Sequence, residues 1–230
     1  MPSELQAVAD PRLILLAWTA GLCLAAAYVA FARVVGPGFV WLTASTAGLI
    51  GLAGVFVPGA FWARGGLVLL VVGLIWAREG RIAGPALLLA AVAYLVQAAG
   101  LGGWLPSVSA AVALGGVTGE MMLGHWYLVD PRLPRWTLRS LAVAGLAGLA
   151  ADGVVLSVFG SFPEGGPTLV FWVLLAASLV LMAAVLGALR YPAYSGVMAA
   201  TGLSYLAVLT TLGAVFMGRA LVAGLGPFAT

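Results

Sequence analysis

The chain has 230 residues, 63% of them hydrophobic and only 7% charged, with a formal net charge of +3. A soluble domain carries roughly 25% charged residues, so a water-soluble fold is excluded. No hydrophilic stretch is long enough to fold outside a bilayer, and the chain reads as one transmembrane domain over residues 1–230.

A membrane span needs about 20 apolar residues, which leaves room for about eight. Every basic residue is arginine; without lysine no retinal Schiff base can form, so a rhodopsin-type pigment is excluded. The arginines lie between apolar segments, which points to membrane orientation and not to nucleic-acid binding. Cys23 is the only cysteine, so no intramolecular disulfide, CxxC pair or thiolate cluster can be built. The N-terminal segment MPSELQAVADPR is acidic, unlike the basic start of a cleavable signal peptide. The first helix is expected to stay and to serve as the insertion signal.

The first span is predicted over about Leu13 to Phe31, opened by Asp10-Pro11 and closed by Arg33 and Gly36-Pro37. Proline just inside a start and glycine past an end are ordinary helix punctuation. The second covers about Phe39 to Val57, before the Val57-Pro58-Gly59 break. The third is marginal: only Leu67 to Ala77 is cleanly apolar, too short to cross alone. Extended back to Ala60 it suffices, with Arg64 snorkelling to the interface. If this segment is re-entrant, the count falls to seven.

Arg78-Glu79-Gly80-Arg81 is a polar loop, and the fourth span follows over about Ile82 to Leu101, carrying Gln97. The fifth, about Ser107 to Val129, holds Glu120 and the single histidine, His125. Asp130-Pro131-Arg132-Leu133-Pro134-Arg135 forms a stiff loop whose prolines forbid a continuous helix. The sixth span, about Leu138 to Phe159, carries Asp152; the Ser161–Pro167 segment is a loop by its glycines and prolines. The seventh, about Thr168 to Leu189, is apolar apart from Ser178 and is expected to face lipid. The eighth covers about Ala193 to Met217.

Eight spans put Arg33, Arg78, Arg81, Arg132, Arg135, Arg139 and Arg190 on one side and Arg12, Arg64 and Arg219 on the other. The positive-inside rule makes the richer side cytoplasmic, in a bacterial inner membrane with both termini on the non-cytoplasmic side. Helices in lipid associate through small residues. Gly115 and Gly119 on the fifth span, and Ala144 and Gly148 or Ala147 and Ala151 on the sixth, predict that these two pack together. No internal repeat is legible.

Chemistry concentrates between Thr118 and Arg139, TGEMMLGHWYLVDPRLPRWTLR. Glu120 lies roughly 13 Å, and Asp152 roughly 20 Å, from the arginine-rich end at the helical rise. An ionised carboxylate near mid-membrane costs at least ~2.5–3.5 kcal/mol. The functional reading is a proton-handling or cation-binding pair, with Gln97, Thr201 or Tyr205 as neighbours. The plainer one is two protonated acids hydrogen-bonded across the bundle. His125, in GHWY, does not share a helix face with Glu120, and a histidine flanked by Trp126 and Tyr127 is often only an aromatic-belt residue.

The sharper expectation is a head-group-level pocket ringed by His125, Trp126, Tyr127, Asp130, Arg132, Arg135 and Arg139. Imidazole and aromatic faces suit a quinone headgroup, and arginines suit an anionic headgroup equally well. One histidine and one cysteine cannot build a bis-histidine haem or a zinc site within the chain. Met121 shares the helix face of His125, which removes a His–Met haem. No GxSxG, HExxH or P-loop is present.

The sequence therefore predicts an all-α bundle of about eight transmembrane helices in a lipid bilayer. It leaves two functional classes. One is a quinone-interacting membrane subunit of a redox or respiratory assembly, with other membrane subunits as partners. The other is a small proton-coupled transporter in which Glu120 and Asp152 alternate protonation. A scaffold whose polar groups satisfy only one another is the third, blander possibility.

Overall fold

The computed structural model describes residues 11–56, 59–130, 132–160, 162 and 164–222. The acidic N-terminal segment, the Val57-Pro58 break, and the loop residues Pro131, Ser161 and Pro163 lie outside them. The described residues form eight α-helices and no strand: α1 (Pro11–Ala32), α2 (Pro37–Val55), α3 (Phe61–Ile75), α4 (Gly80–Gly102), α5 (Trp104–Val129), α6 (Trp136–Phe159), α7 (Gly166–Arg190) and α8 (Tyr194–Val222). Seven are long and apolar enough to cross a membrane; α3, at 15 residues, is the short one. The protein is a multi-pass membrane helix bundle.

The marginal third segment does not turn back. Trp41, near the start of α2, donates from its indole to the Leu74 carbonyl at the end of α3, at 3.0 Å. Arg64, at the start of α3, donates to the Val55 carbonyl at the end of α2, at 3.2 Å. The two helices therefore run antiparallel along their whole length, and α3 carries the chain from one end of the bundle to the other.

Two element boundaries depart from the sequence reading. The fourth and fifth helices are joined by Gly103 alone, at φ +86°, where a side chain would be strained. Trp104-Leu105-Pro106 is the first turn of α5 and not a loop; proline is tolerated there because its missing N–H has no intrahelical acceptor in any case. The last helix continues to Val222, past the expected end at Met217, and this draws Arg219 inside the bundle.

Each half of the chain closes a ring of four helices. In the first, α1 and α3 each pack against both α2 and α4; in the second, α5 and α7 each pack against both α6 and α8. The rings meet where α1 crosses α5, and these two are the interior helices, with 78% and 83% of their apolar windows buried against 28% for α7. Glycine makes the crossing possible: a Cβ on Gly115 would stand 2.3 Å from the Gly21 backbone, and one on Gly119 2.7 Å from the Ala25 Cβ. The contacts advance in the same direction along both helices, so α1 and α5 run parallel. This repeated order of neighbours is not legible in the sequence, because backbone neighbours can match without residue identities matching.

The expected packing of the fifth and sixth spans is present, with the expected Ala144 and Gly148 on α6 but with other small residues on α5. Gly116 and Ala113 of α5 meet Gly145 and Gly148 of α6, where an added Cβ would come within 2.3–2.4 Å of backbone nitrogen. Gly115 and Gly119 serve α1 instead.

Candidate functional site

The intramembrane acids sit in separate places. Ser109 contacts Asp152 and lies eleven residues before Glu120 on α5, so the two carboxyls are displaced by roughly 16 Å along that helix. They do not form a pair.

Asp152 on α6 is an ion-pair partner. Arg219, wholly buried on α8, donates from its two terminal nitrogens to Oδ1 at 2.7 Å and Oδ2 at 3.0 Å. Ser109 donates to Oδ1 at 2.5 Å, and Arg219 also donates to the Pro106 carbonyl at 2.6 Å and the Val215 carbonyl at 3.2 Å. The cluster ties α5, α6 and α8 together near the arginine-poor end. One hint of it is visible along the chain: Arg219 is followed by Ala-Leu-Val, so the apolar run does not stop at the arginine.

Glu120 is wholly buried and faces α8. Its Oε2 is in hydrogen-bond contact with Ser204 Oγ, and its Oε1 has no partner. Ser204 Oγ also stands 2.8 Å from the Ala200 carbonyl. A serine hydroxyl has one proton and two acceptor sites, so it cannot donate to both oxygens. Both contacts are fully met only when the carboxyl carries a proton and donates to Ser204 Oγ while Ser204 donates to the Ala200 carbonyl. Ser109 likewise stands between Asp152 Oδ1 and the Pro106 carbonyl, but there Arg219 supplies the further donors and compensates the charge.

One turn toward the arginine-rich end, Thr201 lies directly on Gly124, where a Cβ would stand 2.6 Å from Thr201 Oγ1. That hydroxyl is buried without a hydrogen-bond partner. His125 follows, exposed, with Nδ1 3.1 Å from the hydroxyl of Tyr205, which reaches back from the residue after Ser204. Finally Tyr194, at the start of α8, donates to the Leu128 carbonyl at 2.9 Å. Polar groups thus line the α5–α8 seam: Glu120, Ser204 and Thr201 are buried within it, and the exposed His125–Tyr205 pair lies at its edge.

Five of the six other residues expected to ring a pocket with His125 have side chains engaged elsewhere, and of Arg132 only the backbone N–H is engaged. Trp126 packs edge-on against Phe39 at the start of α2, ring centroids 5.9 Å apart. Tyr127 is wholly buried and donates to the Pro134 carbonyl at 2.6 Å, bracing the α5–α6 loop. Asp130 accepts from the Arg132 backbone N–H at 3.1 Å. Arg135 donates to the carbonyls of Tyr191, Pro192 and Ala193 at 2.5–3.2 Å, and Arg139 to that of Leu189 at 2.8 Å. Arg139 thereby satisfies a carbonyl of the last turn of α7, which helix geometry leaves without an intrahelical donor, and Arg135 holds the carbonyls of the link between α7 and α8.

Gln97 and Asp152 are not among the hydrogen-bond partners of Glu120. The structure adds Ser204 as the partner of Glu120; of the expected neighbours, Thr201 lies one turn along on Gly124 and Tyr205 meets His125 instead. Ser204 and Tyr205 are consecutive on a helix that also carries Thr201, a polar cluster visible in the sequence, but only the antiparallel docking of α8 on α5 gives it a direction.

Three cavities stand out, and none is lined by Glu120, His125 or Asp152. One, of about 240 Å³, is an apolar slot between α1, α5 and α6 above the Gly21–Gly115 crossing. A second, of about 410 Å³, lies at the arginine-rich end between the α1–α2 and α3–α4 turns. The third, of about 370 Å³, lies beside the Gly103 joint. No family model, curated protein or solved structure matches the chain. The class is set by the fold, a multi-pass membrane helix bundle, and function must be argued from the residues.

Proposed function

We propose that the chain is a small proton-coupled membrane protein in which Glu120 takes up and releases a proton along the α5–α8 seam. The carrying observation is the donor count at Ser204: one hydroxyl proton stands between the Glu120 carboxyl and the Ala200 carbonyl. That count, in a wholly buried site where Oε1 has no partner and no arginine compensates the charge as Arg219 does for Asp152, favours a protonated Glu120 at rest. Deprotonation leaves a carboxylate with a single competing donor in an apolar interior, which is costly and favours rearrangement of α8 against α5. The proton enters through His125 and Tyr205 and passes Thr201. His125 suits the entrance because an imidazole changes charge near neutral pH. By the positive-inside rule the arginine-rich end is cytoplasmic and the membrane is a bacterial inner membrane. Asp152, held by Arg219, anchors the bundle in this reading.

A second reading rests on the exposure of the His125–Tyr205 pair, with Tyr205 46% exposed on the flank of the bundle. An imidazole and a phenol side by side can bind the carbonyl of a quinone headgroup, whose reduction draws protons, and other membrane subunits would then supply the electrons. Stoichiometric quinone in the purified protein, lost in His125→Ala, would favour it.

The test of the principal reading is infrared spectroscopy of the protein in lipid at neutral pH. A protonated-carboxyl band absent from Glu120→Gln is expected. The band should exchange in D₂O and disappear reversibly as the pH is raised, with slower exchange in His125→Ala and Thr201→Val. A spectrum without a Glu120-dependent band, or a band that ignores both D₂O and pH, would overturn proton handling at this residue.

A further inference from the structure

The cavity of about 410 Å³ at the arginine-rich end is lined by Arg33, Arg78 and Arg81, with Glu79 as its only carboxylate. We propose that it binds a phosphate group, as the headgroup of an anionic phospholipid or as a soluble phosphate.

In the second half Arg135 and Arg139 satisfy backbone carbonyls, whereas the Arg132 and Arg190 side chains, like those of Arg33 and Arg81, have no protein partner among the described residues. Arg33, Arg78 and Arg81 are set apart by lining one cavity together. Arg33 and Arg81 donate to no protein group among the described residues, and Arg78 lies over the Trp41 ring at 5.6 Å. Apart from Glu79, their surroundings favour anions over cations. The cavity contains the starts of α2 and α4; neither has an acidic residue in its first turn, and Glu79, at the N-cap position of α4, makes no side-chain cap hydrogen bond. A helix start presents unpaired N–H groups and a partial positive charge, which favour anions and disfavour cations. Arg81 nevertheless stands in the first turn of α4, and Arg33 Nε is 3.8 Å from where a Cβ of Gly80, the first residue of that helix, would be.

Arg33 is held there at a conformational cost. It is the one non-glycine residue with positive φ, +51°, among the described residues. It ends α1 at the position where glycine is usual. An arginine in place of glycine, reaching over a second helix start, is accounted for when a bound anion sits between the guanidiniums and the helix ends. Three arginines and one glutamate leave two positive charges, matching a phosphate monoester or a diester with charge to spare. At head-group depth, basic pockets between helix ends are suited to such lipids.

The experiment is thermal unfolding of the full chain in a neutral detergent, with added phosphatidylglycerol, phosphatidylcholine or inorganic phosphate. Ligand at 100-fold excess over its Kd should raise the midpoint by roughly 5 °C. Arg33→Gln/Arg78→Gln/Arg81→Gln should abolish the rise, and Arg132→Gln should keep it. Arg33→Gly guards against misfolding: it relieves the positive φ, so it should unfold no earlier than wild type while losing most of the rise. A rise with phosphatidylglycerol alone identifies a lipid headgroup as the source, and a rise with inorganic phosphate a soluble anion. No rise with either, an equal rise with phosphatidylcholine, or a rise retained in the triple variant would overturn the proposal.

Discussion

Replacing Arg219 by methionine tests the tertiary reasoning most directly. In the wild type Arg219 supplies two of the three hydrogen bonds to the Asp152 carboxylate and donates to the Pro106 carbonyl. Methionine roughly fills the stem and removes every donor. Asp152, 3% exposed, would then keep only Ser109. Breaking a buried pair by removing one partner costs about 3–5 kcal/mol, because a charge remains without compensation. Asp152→Leu alone strands the guanidinium and should cost a similar amount. The double variant strands neither charge, and Ser109 can turn to the Pro106 carbonyl, 3.3 Å away. It should therefore be more stable than either single variant, with a coupling energy of at least ~2 kcal/mol in the double-mutant cycle. Unfolding in mixed micelles titrated with SDS measures all four proteins. Additive effects, or single variants costing less than ~1 kcal/mol, would refute the account of this cluster as an anchor.

Three other expectations follow from the packing. Gly116→Ala places a methyl group 2.4 Å from the Gly145 nitrogen and should cost about 1–3 kcal/mol, whereas Gly100→Ala, with nothing within 4 Å, should be neutral or stabilising; the same SDS titration compares them. Tyr127→Phe removes the hydroxyl held by the Pro134 carbonyl at 2.6 Å and should destabilise by about 1 kcal/mol, with proteolysis of the α5–α6 loop becoming faster. Cys23 is wholly buried on α1, so a membrane-permeant maleimide should leave the native protein unlabelled and modify it after denaturation. Rapid native labelling would mean that α1 is not an interior helix.

The fold class was legible in the sequence because hydrocarbon accepts almost no unpaired backbone, and a chain this apolar must form helices to cross it. Glycine, proline and arginine then divided the helices to within a few residues. The misplaced boundaries have local causes. Gly102-Gly103 resembles a loop, yet one residue at positive φ completes the turn and lets Pro106 join the first turn of α5. Arg219 resembles a boundary residue because a lone cation belongs in water, but Asp152 allows it to stay inside.

The candidate site divides along the same line. Glu120, His125 and Asp152 stand out by residue type within the apolar segments, whereas Arg219 reads as a boundary residue although it is buried among them. Which of them act together was decided only by the tertiary structure. Partnership depends on which face of α8 meets which face of α5 and α6, and between apolar helices that choice is made by glycines and alanines matching surface to surface. Gly124 admits Thr201, Gly116 admits Gly145, and Gly115 admits Gly21. In a chain with 32 glycines, no local pattern distinguishes those that meet a partner helix from those that meet lipid.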